Sequence, residues 1–223
     1  MAIKYLDAKR LKLVFIGGGK WVTKHEELLN ELNVYPVPDG DTGSNMSMTL
    51  NSMINDLEEK TDEKIKMPQL IDVVEEAVLM GARGNSGTIL SQVITGFLRG
   101  IGEKVKLLPK DVAEALVSAK ETAYNAVSEP IEGTMLTVIR KISEKATECA
   151  DKFEDLVELN FLNLDILTIV KGEYDNDGIY GLHNPYLIAY EIDNGNQEVI
   201  DLIKSALSSQ KSEIDLTYYI FQA

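Results

Sequence analysis

Six stretches of this chain carry apolar residues at helical spacing, and proline and glycine mark most of the breaks between them. Leu11, Val14, Phe15, Val22, Leu28, Leu29 and Leu32 trace a first helical face between Leu6 and Leu32. Met46, Met48, Leu50, Met53, Ile54 and Leu57 trace a second, which ends in the charged segment 58–66. Pro68 opens a third through Leu70, Val73, Val74, Ala77 and Val78, with the proline in the first turn where its missing N–H costs nothing. A fourth runs from Ser86 to Arg99 and stops at Gly100-Ile-Gly102; 109–127 and 134–156 supply the fifth and sixth. Helices on loops this short bury their apolar faces against one another, so the expected fold is mainly α, an antiparallel helical bundle or barrel.

The first helix contains an anomaly. Gly17-Gly18-Gly19 lies in its middle, and each glycine costs a helix interior about 1 kcal/mol relative to alanine. The sequence therefore predicts either a break there or a neighbour packed on bare backbone. Lys20 follows the triplet, but no strand precedes it and no Ser or Thr occupies the position a phosphate-binding loop requires.

Composition limits the partners. The 223 residues hold 22 Lys and Arg against 36 Asp and Glu, a formal charge of −14, which disfavours nucleic acid and anionic membrane surfaces. An apolar content of 44% is that of a globular chain. No apolar run reaches the length of a membrane span, and the first residues lack the basic-then-apolar layout of a signal peptide, so a cytoplasmic location is expected. The single cysteine, Cys149, excludes an internal disulfide; its spacing with Ile142, Ala146 and Phe153 predicts a buried structural thiol.

Chemistry concentrates in loops. In Asn33-Val-Tyr-Pro-Val-Pro-Asp-Gly-Asp-Thr-Gly-Ser-Asn45, two prolines hold the chain extended ahead of Asp39 and Asp41, and a helix start follows. Carboxylates this close repel unless a cation lies between them, and hard oxygens on a glycine turn suit Mg²⁺ that also holds phosphates. The same letters also spell an ordinary Asp-Gly turn. Further on, Gly81-Ala-Arg-Gly-Asn-Ser-Gly87 strips a helix N-terminus of bulk, which lets backbone N–H groups and the positive helix end approach phosphate oxygens.

Together with Pro130-Ile-Glu-Gly-Thr-Met-Leu-Thr-Val138, and in this order, the two loops resemble the DAK2 (dihydroxyacetone-kinase L-type) nucleotide-binding domain, most closely the form at the N-terminus of bacterial fatty acid kinase. The resemblance covers residues 3–158. Position 42 is Thr where the dihydroxyacetone branch carries His. The resemblance implies one or two Mg²⁺ on Asp39 and Asp41, with Asn33 a weaker third ligand, and ATP or ADP as the nucleotide. It places Thr42, Ser44 and Asn45 beside nucleotide, Gly84, Asn85, Ser86 and Gly87 around phosphate, and Thr134 and Met135 against ribose and base. Arg83 could steady charge on the transferred group or stand as a surface arginine.

Three functions follow from the resemblance. The first is an ATP-dependent kinase domain that phosphorylates a fatty acid presented by a separate fatty-acid-binding protein. The second is the nucleotide-binding subunit of a dihydroxyacetone-type kinase. The third is a non-catalytic nucleotide-sensing domain. His25 and His183 are the only histidines, and neither lies in a motif. A carboxylate acceptor needs no base to remove a proton, so it fits somewhat better than a sugar alcohol, although an aspartate can also serve as base. A homodimer is compatible with the sequence.

From residue 159 onward the pattern changes. Turn signals at Asp175-Asn-Asp-Gly178, Asn184-Pro185 and Asn194-Gly195 separate short apolar runs, and the family's closing helical segment and Asp-Ala-Gly-Gly turn are absent. Residues 159–223 are expected either to complete the helical domain of 1–158 or to form a small appended unit, α+β in character.

Overall fold

A computed structural model of the protein describes residues 4–33 and 36–150. Within them the order is β1 (Leu6–Asp7), α1 (Ala8–Lys24), α2 (Glu26–Glu31), α3 (Thr42–Lys60), α4 (Met67–Gly81), α5 (Gly84–Ile101), β2 (Lys106–Leu107), α6 (Pro109–Asn125) and α7 (Met135–Cys149). The expected helical bundle is present. Residues 159–223, together with the burial of the Cys149 thiol and of Phe153, fall outside the described residues.

Helix α1 runs unbroken through the glycine triplet and ends at His25, a residue after Lys24. The two expected outcomes of the triplet resolve into the second. A Cβ on Gly19 would lie 2.9 Å from Ile54 Cδ1, so α3 packs directly on its backbone, while Gly17 and Gly18 face open space. The predicted single helix over 6–32 is instead two, because the chain turns at His25, whose Nδ1–H donates to the Trp21 carbonyl (2.8 Å) and whose ring lies against the Trp21 indole.

One unforeseen element ties the start of the chain to its middle. Leu6 and Asp7 pair antiparallel with Leu107 and Lys106, in a two-stranded ribbon with Leu6 and Leu107 buried. Asp7 also caps α1, accepting from the Arg10 N–H at 2.9 Å. The Tyr5 ring carries the Arg10 guanidinium 4.6 Å and the Lys106 ammonium 4.2 Å from its centroid.

The main core joins α1, α3, α4 and α5 through Leu11, Met53, Leu57, Leu70, Val74 and Leu98. A second cluster of Ala119, Ala123, Leu136 and Ile139 links α6 to α7, and Phe97 and Leu116 pack on both. Helices α5 and α6 meet at near-backbone distance. Cβ atoms on Gly96 and Gly100 would stand 2.7 and 2.5 Å from the Cα atoms of Ala119 and Ala115, and this pairing order makes the two helices antiparallel. Small residues four apart on each helix thus leave a groove that fits the other's ridge.

Candidate functional site

Helices α3 and α5 begin beside each other. Helix α3 starts at Thr42, directly after the acidic loop, and α5 starts at Gly84, two residues earlier than the periodicity indicated. The hydroxyls of Thr42 and Ser86 lie 3.0 Å apart. Glycines permit this approach: a Cβ on Gly84 would fall 2.3 Å from Asn45 Nδ2, and one on Gly87 would fall 2.4 Å from Thr49 Oγ1. Gly84 also has φ +58°, a left-handed conformation in which only glycine is free of strain. Thr49 completes the seam, accepting from the Arg83 N–H at 3.3 Å while donating to the Asn45 carbonyl at 2.8 Å. Two positive helix ends therefore point from one edge of the bundle, with Asp39 and Asp41 on the exposed loop that leads into the first.

The start of α3 is held from α2. Asn33, just past α2, accepts from the N–H groups of Asp41 (3.1 Å) and Thr42 (3.2 Å) through Oδ1 and donates from Nδ2 to the Val37 carbonyl (2.9 Å). Asn30 accepts from the Ser44 N–H (3.1 Å) and donates to Ser44 Oγ (3.0 Å), and that hydroxyl donates to Glu26 (2.8 Å). Helix α2 comes so near that a Cβ on Gly43 would sit 2.0 Å from the Glu26 carbonyl oxygen. Asn30 and Glu26 were missed in the sequence. Their spacing offered a signal, since Glu26, Asn30 and Asn33 lie four and three residues apart on one helical face.

The other expected residues are placed as follows. The Arg83 guanidinium donates to the carbonyls of Met80 (3.1 Å) and Ala82 (2.8 Å), folded onto its own loop. Asn85 is exposed on the first turn of α5. Thr134 caps α7, accepting from the Leu136 N–H at 3.2 Å and donating to the Ile131 carbonyl at 2.7 Å, and Met135 is the first residue of that helix. This turn is tied to α5, because Ile89 and Val93 pack on the cluster containing Leu136 and Ile139.

A polar network fixes the turn before α7. Glu132 accepts from Tyr124 (2.7 Å), Arg140 (3.1 Å) and Thr137, and Thr137 Oγ1 accepts in turn from the Gly133 N–H (2.7 Å). Burial pushes the Glu132 carboxyl up, but hydrogen bonds from Thr137, Tyr124 and Arg140 outweigh it and hold the group below the ordinary glutamate value. The Tyr124 phenol is pushed up to about 12, by burial first and then by its bond to Glu132.

The described residues contain no group of three or more His, Cys, Asp or Glu side chains able to hold a metal by themselves. Asp39 and Asp41 lie on the exposed loop beside the starts of α3 and α5. No helix among the described residues is long and apolar enough to cross a membrane.

The described residues form a helical-bundle domain with the starts of α3 and α5 side by side. Residues 36–161 match the model of the DAK2 domain, and the chain belongs to that family of kinase-related domains, whose members bind ATP- or ADP-type nucleotides. Relatives include uncharacterized proteins of Staphylococcus aureus strains bovine RF122, USA300 and NCTC 8325, each 35% identical over 214 residues. Those matches take in 95% of this chain and 37% of each relative, so the chain spans little more than a third of their length.

Proposed function

We propose that this domain binds Mg-ATP at the joined starts of α3 and α5 and transfers the γ-phosphoryl group to the carboxylate of a fatty acid held by a separate carrier protein in the cytoplasm. The observation that carries this reading is the Thr42–Ser86 hydroxyl contact, which sets two helix N-termini side by side at the acidic loop. The backbone N–H groups at the start of α5 would bind phosphate oxygens, those of Asp41, Thr42 and Ser44 being taken by Asn33 and Asn30, and glycines 84 and 87 let α5 lie against Asn45 and Thr49 of α3.

The residues present fit Mg²⁺. This ion is usually held by one or two carboxylates, with the remaining positions filled by water and substrate phosphates. Asp39 and Asp41 are exposed, and Asp41 makes no side-chain cap bond to its helix. Asn33, its side chain engaged by the loop backbone, acts here as a brace. Bound Mg²⁺ would neutralise phosphate charge and align the γ-phosphoryl group.

The chain's own contribution is positioning and charge. Thr42, Ser44, Asn45, Asn85 and Ser86 surround the phosphates, and Thr134 and Met135 border the nucleoside. Arg83 would reach the transferred group only after releasing the Met80 and Ala82 carbonyls. In the transfer, a carboxylate oxygen forms the new bond to phosphorus, the bond from phosphorus to the bridging oxygen breaks, and ADP leaves with that electron pair. No proton has to be removed from the acceptor.

Thermal melts with and without Mg-ATP test the site. At a hundredfold excess over Kd, the wild type should melt about 5–10 °C higher, and EDTA should abolish the shift. Asp39→Asn and Asp41→Asn should lose it while melting no lower than wild type without ligand. A shift retained in either variant overturns the site. Release of ADP with a fatty-acid-loaded carrier supports the acceptor; turnover with dihydroxyacetone, or none with either, overturns it.

A further inference from the structure

Helix α3 departs from the usual way in which an aspartate begins a helix. An aspartate at the N-cap accepts from the N–H two or three residues on. Asp7 does this for α1, accepting from Arg10 at 2.9 Å. Asp41 stands at the N-cap of α3 but with φ −116° and ψ 0° rather than the extended backbone of Asp7, and makes no such bond. The N–H it would take, that of Ser44, is bound by Asn30 at 3.1 Å. Asn33 takes the N–H groups of Asp41 and Thr42 and pins the loop at Val37.

We infer that Asn30 and Asn33 are positioning residues that cap α3 in place of Asp41 and so keep the Asp41 carboxylate free for a metal-bound phosphate. This rests on the Mg-nucleotide reading of the site, although the capping exchange itself needs no ligand. An aspartate at a helix start caps the N–H two or three residues on when its backbone is extended and that N–H is open; on α3 the backbone at Asp41 is not extended and Asn30 already holds the Ser44 N–H. Asn30 takes it with a neutral amide, which leaves the charge of the loop on Asp39 and Asp41. The Ser44 hydroxyl fixes the Asn30 amide from its other side and is itself fixed by Glu26, so the amide cannot turn over without breaking both bonds.

The test is a double-mutant cycle on the metal-free protein with Asn30→Ala and Asp41→Ala. In the wild-type background, Asp41→Ala should leave the melting temperature unchanged or raise it. In the Asn30→Ala background, where Asp41 has moved onto the Ser44 N–H, the same substitution should lower it by about 2–4 °C. Hydrogen exchange at the Ser44 amide supplies a reading free of the Asn30 variant: its protection should persist in Asp41→Ala. Asn30→Ala should also weaken Mg-ATP binding about fivefold by calorimetry, because Asp41 must leave the cap to serve the ligand.

Equal melting losses from Asp41→Ala in both backgrounds, or lost Ser44 protection in Asp41→Ala alone, would show Asp41 to be the cap and overturn the inference. A coupled cycle in a wild type that binds no Mg-ATP would leave the capping exchange standing and remove the nucleotide reading instead. A coupled cycle with unweakened Mg-ATP binding in Asn30→Ala would overturn the positioning role.

Discussion

Thr42 and Ser86 are 44 positions apart in the chain, yet their hydroxyls meet at 3.0 Å and join the first turns of α3 and α5. One hydroxyl contact links the acidic loop to the glycine-rich loop. Ser86→Ala removes it and should cost about 0.5–1.5 kcal/mol of stability, the net worth of one hydrogen bond, with helical content unchanged. Mg-ATP affinity should fall with it. Denaturant unfolding and calorimetry on one preparation check both, and unchanged affinity would show that Ser86 serves only to join the two helices.

Gly84 should tolerate no side chain. Its φ of +58° costs an L-residue about 1–2 kcal/mol, and a Cβ would fall 2.3 Å from the Asn45 amide. Gly84→Ala should therefore lose at least that much in urea unfolding. Gly102, with the same φ and nothing within 4 Å of its Cβ position, should lose only the conformational part when changed to alanine.

The glycine triplet of α1 should divide by position. Gly17 and Gly18 face open space, so Gly17→Ala and Gly18→Ala should each raise stability by up to about 1 kcal/mol through helix propensity. At Gly19 the same change meets Ile54 Cδ1 at 2.9 Å, and displacement of that side chain should cancel the gain. Melting temperatures of the three single variants decide it.

Tyr124 and Glu132 should leave opposite marks on the pH dependence of stability. The Tyr124 value is raised from 10.0 to about 12, so its contribution is complete below pH 10 and is lost as pH rises through that window. Tyr124→Phe should flatten the alkaline limb. The Glu132 value is lowered, so its contribution is present above the ordinary glutamate value and is lost as pH falls through the depressed folded value. Glu132→Gln should flatten the acid limb. Urea midpoints across pH measure both.

Apolar periodicity and proline and glycine punctuation located six helical stretches and nearly where α3 to α7 begin, but not the division of the first into α1 and α2. Both signals act within a turn or two of the chain, where spacing alone decides which side chains share a face. The motif order also carried the DAK2 family. Tertiary structure decided the rest. Whether Gly17-Gly18-Gly19 breaks a helix depends on Ile54, some 35 residues away, because a backbone groove is stable only when a neighbour fills it. That Asn30, rather than Asp41, holds the Ser44 N–H depends on α2 docking on α3, and two acceptors competing for one donor are separated by ångströms that no local pattern encodes. The pairing of Thr42 with Ser86, like the convergence of Tyr124, Thr137 and Arg140 on Glu132, likewise exists only once the helices are packed, since a hydrogen bond between side chains is short-ranged and its partners are chosen by the fold.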